Sequence, residues 1–250
     1  MIIIKSDEEI DLMRISGKVT AFILKELESF IKPGISTADI DRFVETTIRD
    51  NGMIPTFKGY GGFPASACVS INEEVVHGIP SKKRIIKEGD IVSVDVGSTY
   101  KGYVSDAART YAVGEISDAA GKLIEATRDS FFAGLEFCKV GYRLSDISHA
   151  IQKKAEGEGF SVIRDFVGHG VGQNMHEEPQ IPNYGRPGRG PRLTKGMVFA
   201  IEPMICEGGY EVQTLSNDWT VVTLDGKLSA HYENTVVITD GEPELLTLAE

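Results

Sequence analysis

Apolar residues recur at near-helical spacing through Ile10, Met13, Ile15, Val19, Phe22, Ile23, Leu27 and Phe30, which predicts a long first helix. Ser6-x-x-Glu9 precedes that run. It is a capping-box pattern, in which the two side chains satisfy backbone N–H groups that the first helical turn leaves unpaired. Pro33-Gly34 closes the helix. A second helix is expected over 37–50, stopping near Gly52, followed by a turn-rich stretch from Lys58 to Pro64. The pattern then shifts to short apolar runs at 68–71, 91–96 and 107–113, which read as strands. Two more helices are predicted near 118–138 and 145–156. A Gly/Pro-rich region follows at 168–196, then short strands near 197–201, 219–224 and 235–239. The class expected is α+β.

The pattern repeats once. Ile31-Lys-Pro-Gly-Ile-Ser-Thr-Ala-Asp-Ile aligns with Cys138-Lys-Val-Gly-Tyr-Arg-Leu-Ser-Asp-Ile, 107 positions later. Glu88-Gly-Asp-Ile-Val-Ser-Val-Asp95 aligns with Lys195-Gly-Met-Val-Phe-Ala-Ile-Glu202 at the same offset. Few residues are identical, but two matches that share one offset support each other. The expectation is a single domain over 1–250, built from duplicated halves of about 1–115 and 116–250 that close one core. Asp95 and Glu202 then occupy equivalent positions.

Composition narrows the function. With 41% hydrophobic and 25% charged residues in 250, the chain has ordinary globular values and is long enough for a sizeable core. A formal net charge of −11 argues against non-specific nucleic-acid or anionic-membrane binding as its main business. It leaves room for many carboxylates gathered at one place. The three cysteines, Cys68, Cys138 and Cys206, are odd in number and widely spaced, which suits reduced thiols. No signal-peptide pattern and no run near the roughly 18 apolar residues of a membrane span is seen. A cytoplasmic protein is expected.

Four of the acidic residues stand out. Asp95 lies at the end of Ile91-Val-Ser-Val, Glu202 follows Met197-Val-Phe-Ala-Ile, Asp106 precedes the 107–113 run, and Glu233 precedes Asn234-Thr-Val-Val-Ile. Each is read as sitting at the edge of an apolar strand, where a lone buried carboxylate costs several kcal/mol unless a positive charge compensates it. A solvent-facing carboxylate or one paired to a distant arginine is the plain alternative for any one of them, but less so for all four. His169 is flanked by Gly168 and Gly170 in a predicted loop that lets backbone approach closely. Four carboxylates and one imidazole form a hard, oxygen-rich donor set that two divalent cations would neutralise. Such a set suits a two-metal hydrolytic site with metal-activated water as nucleophile, favouring manganese, iron or cobalt, with zinc a further option. Sulfur-rich structural zinc is excluded, since no paired cysteines exist.

The order and spacing of these residues closely resemble those of type I methionine aminopeptidases over essentially the whole chain. The resemblance rests on Ser70-Ile-Asn-Glu-Glu-Val-Val-His77-Gly-Ile-Pro80, Asp95 and Asp106, Gly168-His169-Gly170-Val-Gly, His176-Glu-Glu-Pro179, Ile201-Glu202-Pro-Met204 and Glu233. It implies a pita-bread fold, a curved antiparallel sheet with helices on its outer face and pseudo-two-fold symmetry. It implies Asp95, Asp106, His169, Glu202 and Glu233 as ligands of two divalent ions, with Asp106 and Glu233 bridging. It also implies a proton-transfer role for Glu202, substrate hydrogen bonds from His77 and His176, and stabilisation of the tetrahedral intermediate by His176. A methionine pocket of Tyr60, Phe63, Cys68, His77, Met175, His176 and Trp219 follows from the same resemblance. Aromatic faces and soft sulfur suit a thioether; core packing is the plain reading of Phe63 and Cys68. The implied reaction removes the initiator methionine from nascent polypeptides with a small second residue. A transient ribosome contact and a monomeric state are implied too.

Other features read more plainly. His149 is expected to be an exposed bystander, and His231 either supports a ligand or packs within a strand. The loop from Asn183 to Arg192 carries three arginines among glycines and prolines, which reads as a solvated loop rather than a nucleic-acid patch. The competing functions are an Xaa-Pro aminopeptidase or prolidase and a non-catalytic pita-bread peptide-binding module. The former enzymes normally carry an extra N-terminal domain, and the latter typically lose metal ligands.

Overall fold

The computed structural model describes residues 1–249 of the chain. Helix α1 spans Asp7–Phe30, with both arms of the Ser6/Glu9 capping box formed. Ile10, Met13, Ile23, Leu24 and Leu27 face the core, whereas Ile15 and Phe22 of the same apolar run point to solvent. Helix α2 spans Thr37–Asp50 and is capped in the same way by Ser36 and Asp39. Helix α3 spans Asp118–Leu135 and ends short of Cys138, because the amides of Phe137 and Cys138 turn back onto the carbonyls of Gly134 and Leu135. Helix α4 spans Leu144–Gly157.

The Ile91–Tyr100 strand is central to the first sheet. Tyr103–Ala112 pairs along one edge, while Ala67–Ile71 and Ile54–Pro55 share the other. The largest sheet of the second half runs in the order Glu244–Leu245, Asn234–Val237, Val198–Ile201, Gly168–Gly170, Glu177–Ile181. Both sheets are antiparallel. Helices α1 and α2 bury Ile23, Leu27, Ile40, Val44 and Ile48 against Val69, Val92 and Val94. Helices α3 and α4 bury Phe131, Ile147 and Ile151 against Phe199, Ile201 and Val236. Each sheet therefore has one face sealed by helices, which leaves the opposite side for chemistry.

The repeat is visible in the backbone register. Helices α2 and α4 begin and end 107 residues apart. Ile54 pairs with Thr99 and Pro55 with Ser98; Ser161 pairs with Cys206 and Val162 with Ile205, each 107 positions on. The returning strands are offset by 125, since Val92 faces Tyr111 and Phe199 faces Val236. Two threonines tie the halves together where these strands meet. Thr235 Oγ1 accepts from Asp106 N at 2.9 Å and donates to Asp106 O at 2.8 Å. Thr110 Oγ1 accepts from His231 N and donates to His231 O, both at 2.9 Å.

Several local expectations change. The 91–96 and 107–113 runs are the arms of one longer hairpin, so Asp95 and Asp106 lie within strands rather than at their edges. The hairpin was hidden because its middle is polar: Ser98 and Ser105 are buried and bond Thr20 of α1 at 2.8 and 2.9 Å. Glu202 and Glu233 do flank strands, Val198–Ile201 and Asn234–Val237. The strand near 219–224 shrinks to Val221–Thr223, because Asn217 Oδ1 accepts from the amides of Trp219 and Thr220 and makes a turn there. The strand near 235–239 is Asn234–Val237.

Candidate metal and peptide site

His169 lies in a strand, not a loop. Gly168–Gly170 pairs on both sides, with His169 opposite Ala200 and Gln180. The flanking glycines are required by this close pairing: a Cβ at Gly168 would fall 2.4 Å from the Ala200 carbonyl oxygen, and one at Gly170 2.3 Å from that of Glu178. The ring Nδ1 bonds the Gly170 carbonyl at 2.9 Å. With Nδ1–H donating, the Nε2 lone pair faces Asp106 Oδ2 at 3.6 Å and Glu202 Oε1 at 3.5 Å.

The four carboxylates meet this imidazole across the seam between the halves. Asp106 and Glu233 are almost wholly buried, and Glu202 and Asp95 open partly into a cavity of about 180 Å³. Asp95 Oδ1, Asp106 Oδ1 and Glu233 Oε1 are enclosed without a hydrogen-bond partner. Among the described residues no lysine or arginine pairs with any of the four. Arg109, the nearby cation, is turned instead onto the Ala108 and Glu233 carbonyls and the Asn234 side chain, and its guanidinium stacks 4.1 Å from the Tyr232 ring centre. Burial, then mutual repulsion, holds Asp95, Glu202 and Glu233 well above the usual carboxylate range, and burial raises Asp106 as well. Enclosed carboxylate oxygens without a cationic side chain beside them make a hard donor set that suits a divalent cation. Two donor groups fit: Asp106, His169 and Glu233, and Asp95, His231 and Glu233, each with ligand atoms within 4.8 Å of one another. Glu233 is common to both.

The same cavity is lined by Phe57, Phe63, Cys68, Met175 and Trp219, and by Tyr60, His77 and His176. Every site residue expected from the sequence therefore opens onto one cavity, and Phe57 and Gly61 join them. Phe63 meets Trp219 edge to face at 5.1 Å, and both Phe63 and Met175 are buried. Burial, then the nearby carboxylates, push the Cys68 thiol up, which disfavours its thiolate. His77 adopts a left-handed backbone, φ 60°, after the Glu74–Val76 strand. The next residue must be glycine, since a Cβ at Gly78 would sit 2.1 Å from the Val69 carbonyl oxygen. That strained turn aims the His77 ring 6.3 Å from Trp219, and burial lowers its pKa to about 4. His176 stands at the mouth, its ring 4.2 Å from that of His169.

Residues 11–240 match metallopeptidase family M24. The chain belongs to metallopeptidase family M24. Among relatives in that family, the methionine aminopeptidase of Clostridium acetobutylicum is 61% identical over 250 residues, covering all of both chains. The crystal structure of a Thermotoga maritima methionine aminopeptidase superposes with a TM-score of 0.98 at 48% identity, again over the whole of both chains. The M24 fold is thus the pita-bread fold expected. The prolidase of Pyrococcus horikoshii shares only the fold: 23% identity, TM-score 0.79, with this chain spanning 64% of that protein.

Some contributors had no clear sequence signal. Asn183, buried at the base of the arginine loop, donates Nδ2 to the Glu202 carbonyl at 3.0 Å. The loop itself is tethered to α4: Gly185, Gly188 and Arg189 amides reach Gln152, Asp146 and Ser145. His149 is no exposed bystander but half-buried, with Nδ1 3.0 Å from the Gly185 carbonyl. Lys5 and Glu177 form a buried ion pair at 2.5 Å beside His176. His231 is buried, with its Nε2 3.8 Å from both Glu202 Oε2 and Glu233 Oε2.

Proposed function

We propose that the chain removes the N-terminal methionine from nascent polypeptides whose second residue is small. The observation that carries this reading is a single cavity lined both by a carboxylate–imidazole donor set and by aromatic and sulfur-bearing side chains. The full-length likeness to methionine aminopeptidases agrees with it. Asp95, Asp106, His169, Glu202 and Glu233 would hold two divalent cations, with Asp106 and Glu233 between them. Cobalt, manganese or iron suits the oxygen-rich set, and zinc would also fit. When bound, the cations supply the Lewis acidity that activates water at neutral pH.

The protein's own groups do the rest. Phe63, Cys68, Met175 and Trp219 take the methionine side chain. Glu202 accepts the proton of the attacking water and returns it to the departing amine. His176 donates to the oxygen of the tetrahedral intermediate, and His77 holds the substrate backbone. The enzyme acts in the cytoplasm as a monomer, in transient contact with the ribosome. Metal-loaded protein should release methionine from Met-Gly-Met and spare Ala-Pro, with activity lost in Asp95→Ala and His169→Ala. Preference for Ala-Pro would overturn the methionine reading. Absence of turnover with every divalent metal tried would overturn catalysis and favour a peptide-binding module.

A further inference from the structure

His231 occupies the place that Asp106 occupies in the other half. In the first half Asp106 faces Gly97; in the second His231 faces Met204, and Gly97 and Met204 are 107 residues apart. The residue four positions on from each is a threonine, Thr110 and Thr235. Each threonine hydroxyl holds both backbone groups of the other half's residue: Thr235 grips Asp106, and Thr110 grips His231, all at 2.8 to 2.9 Å. The pseudo-two-fold axis therefore passes between these two pairs and exchanges Asp106 with His231.

The side chain behaves as that position suggests. His231 is 2% exposed, and its Nε2 is enclosed with no hydrogen-bond partner. At 3.8 Å from one oxygen each of Glu202 and Glu233, it is too far for a hydrogen bond to either, yet within a small inward shift of the separation that two atoms bonded to one cation adopt. It also closes a second donor group, with Asp95 and Glu233, beside that of Asp106, His169 and Glu233.

We propose that His231 Nε2 is a sixth protein donor to the dinuclear centre, completing the Asp95–Glu233 position as His169 completes the Asp106–Glu233 position. Each cation then receives one nitrogen. This rests on the dinuclear reading above. The test uses full-length protein stripped of metal and titrated with Co(II), comparing wild type, His231→Gln and His169→Gln. Binding is followed by calorimetry and by the visible absorption of Co(II), and coordinated imidazoles are counted by X-ray absorption at the cobalt edge. Wild type should bind two equivalents with two imidazoles. His231→Gln should keep its circular dichroism, lose one imidazole, and bind one equivalent about tenfold or more weakly. Two tight equivalents with a single imidazole in wild type would overturn the proposal and leave the dinuclear reading intact. Weaker binding in His231→Gln with no change in imidazole count would also overturn it, leaving His231 as a positioning residue. Fewer than two equivalents in wild type would overturn both readings.

Discussion

Tyr60 Oη lies 2.8 Å from Nδ1 of His176, across the mouth of the cavity. The two rings pack at 5.3 Å, and partial burial with repulsion from His169 holds the His176 pKa below its ordinary value. A neutral imidazole whose Nδ1 accepts from the phenol carries its proton on Nε2, the nitrogen free to donate into the site. Tyr60→Phe removes the restraint on tautomer while keeping the ring. A neutral hydrogen bond at an exposed site is worth about 1 kcal/mol, so kcat should fall about 3- to 10-fold. KM should change little. Steady-state kinetics on Met-Gly-Met checks this, and a KM effect without a kcat effect would contradict it.

Removing metal should change how stability responds to pH. The carboxyls of Asp95, Asp106, Glu202 and Glu233 are raised by burial, so the metal-free native state keeps protons that the unfolded chain releases. With more protons bound in the native state, stability is lost as pH rises above the unfolded carboxylate range of about 4. A bound cation favours the charged carboxylates and reverses the penalty. Thermal unfolding of chelator-treated protein should therefore show Tm falling between about pH 5 and pH 7.5. The gap to the metal-loaded protein should widen over the same interval. A gap independent of pH would mean that these groups are not the cation's donors.

Trp219 lines the cavity in which we place the substrate side chain and packs edge to face with Phe63 at 5.1 Å. Trp219→Ala opens that cavity to water and removes apolar contact with the substrate side chain. The loss acts on binding in ground and transition states alike, so KM should rise about tenfold with kcat nearly kept. Discrimination against leucine at the first position should weaken in parallel. Competition between Met- and Leu-starting peptides measures this, and unchanged selectivity would place the specificity elsewhere.

The Lys5–Glu177 pair is 3% exposed at both side chains, and Lys5 Nζ also bonds the Ile3 carbonyl. Cutting one partner leaves a buried charge without compensation. Lys5→Met should lower unfolding free energy by about 3–5 kcal/mol in urea titrations, and the double variant Lys5→Met/Glu177→Gln should recover much of it. Equal losses in single and double variants would show that packing, not charge, matters at this point.

The sequence and the fold agree best where a pattern is local. The span of α2 was fully legible from its periodicity and its Gly52 stop. The 107-residue repeat was legible because register depends on backbone length as much as side-chain identity. The long hairpin was not, because buried Ser98, Ser105 and Thr20 satisfy one another and so break the apolar alternation that marks a strand. The cavity residues were named through resemblance to a family; chemistry alone reached only the carboxylates and His169. Lys5 with Glu177, Arg109 with Glu233 and Asn183 with Glu202 join residues 172, 124 and 19 positions apart, and no spacing rule reports such pairs.

The division of the proposed ligands between the copies has its own consequence. Asp95 and Asp106 come from one copy, and His169, Glu202 and Glu233 from the other. Neither copy alone could gather them. A solitary half would need to meet a second chain across the same seam, at whatever concentration the cell provided. Joining the halves in one polypeptide turns that encounter into an intramolecular one, with an effective concentration set by the connecting chain. The price is that the copies are no longer free to drift apart: every change in the seam is read by both.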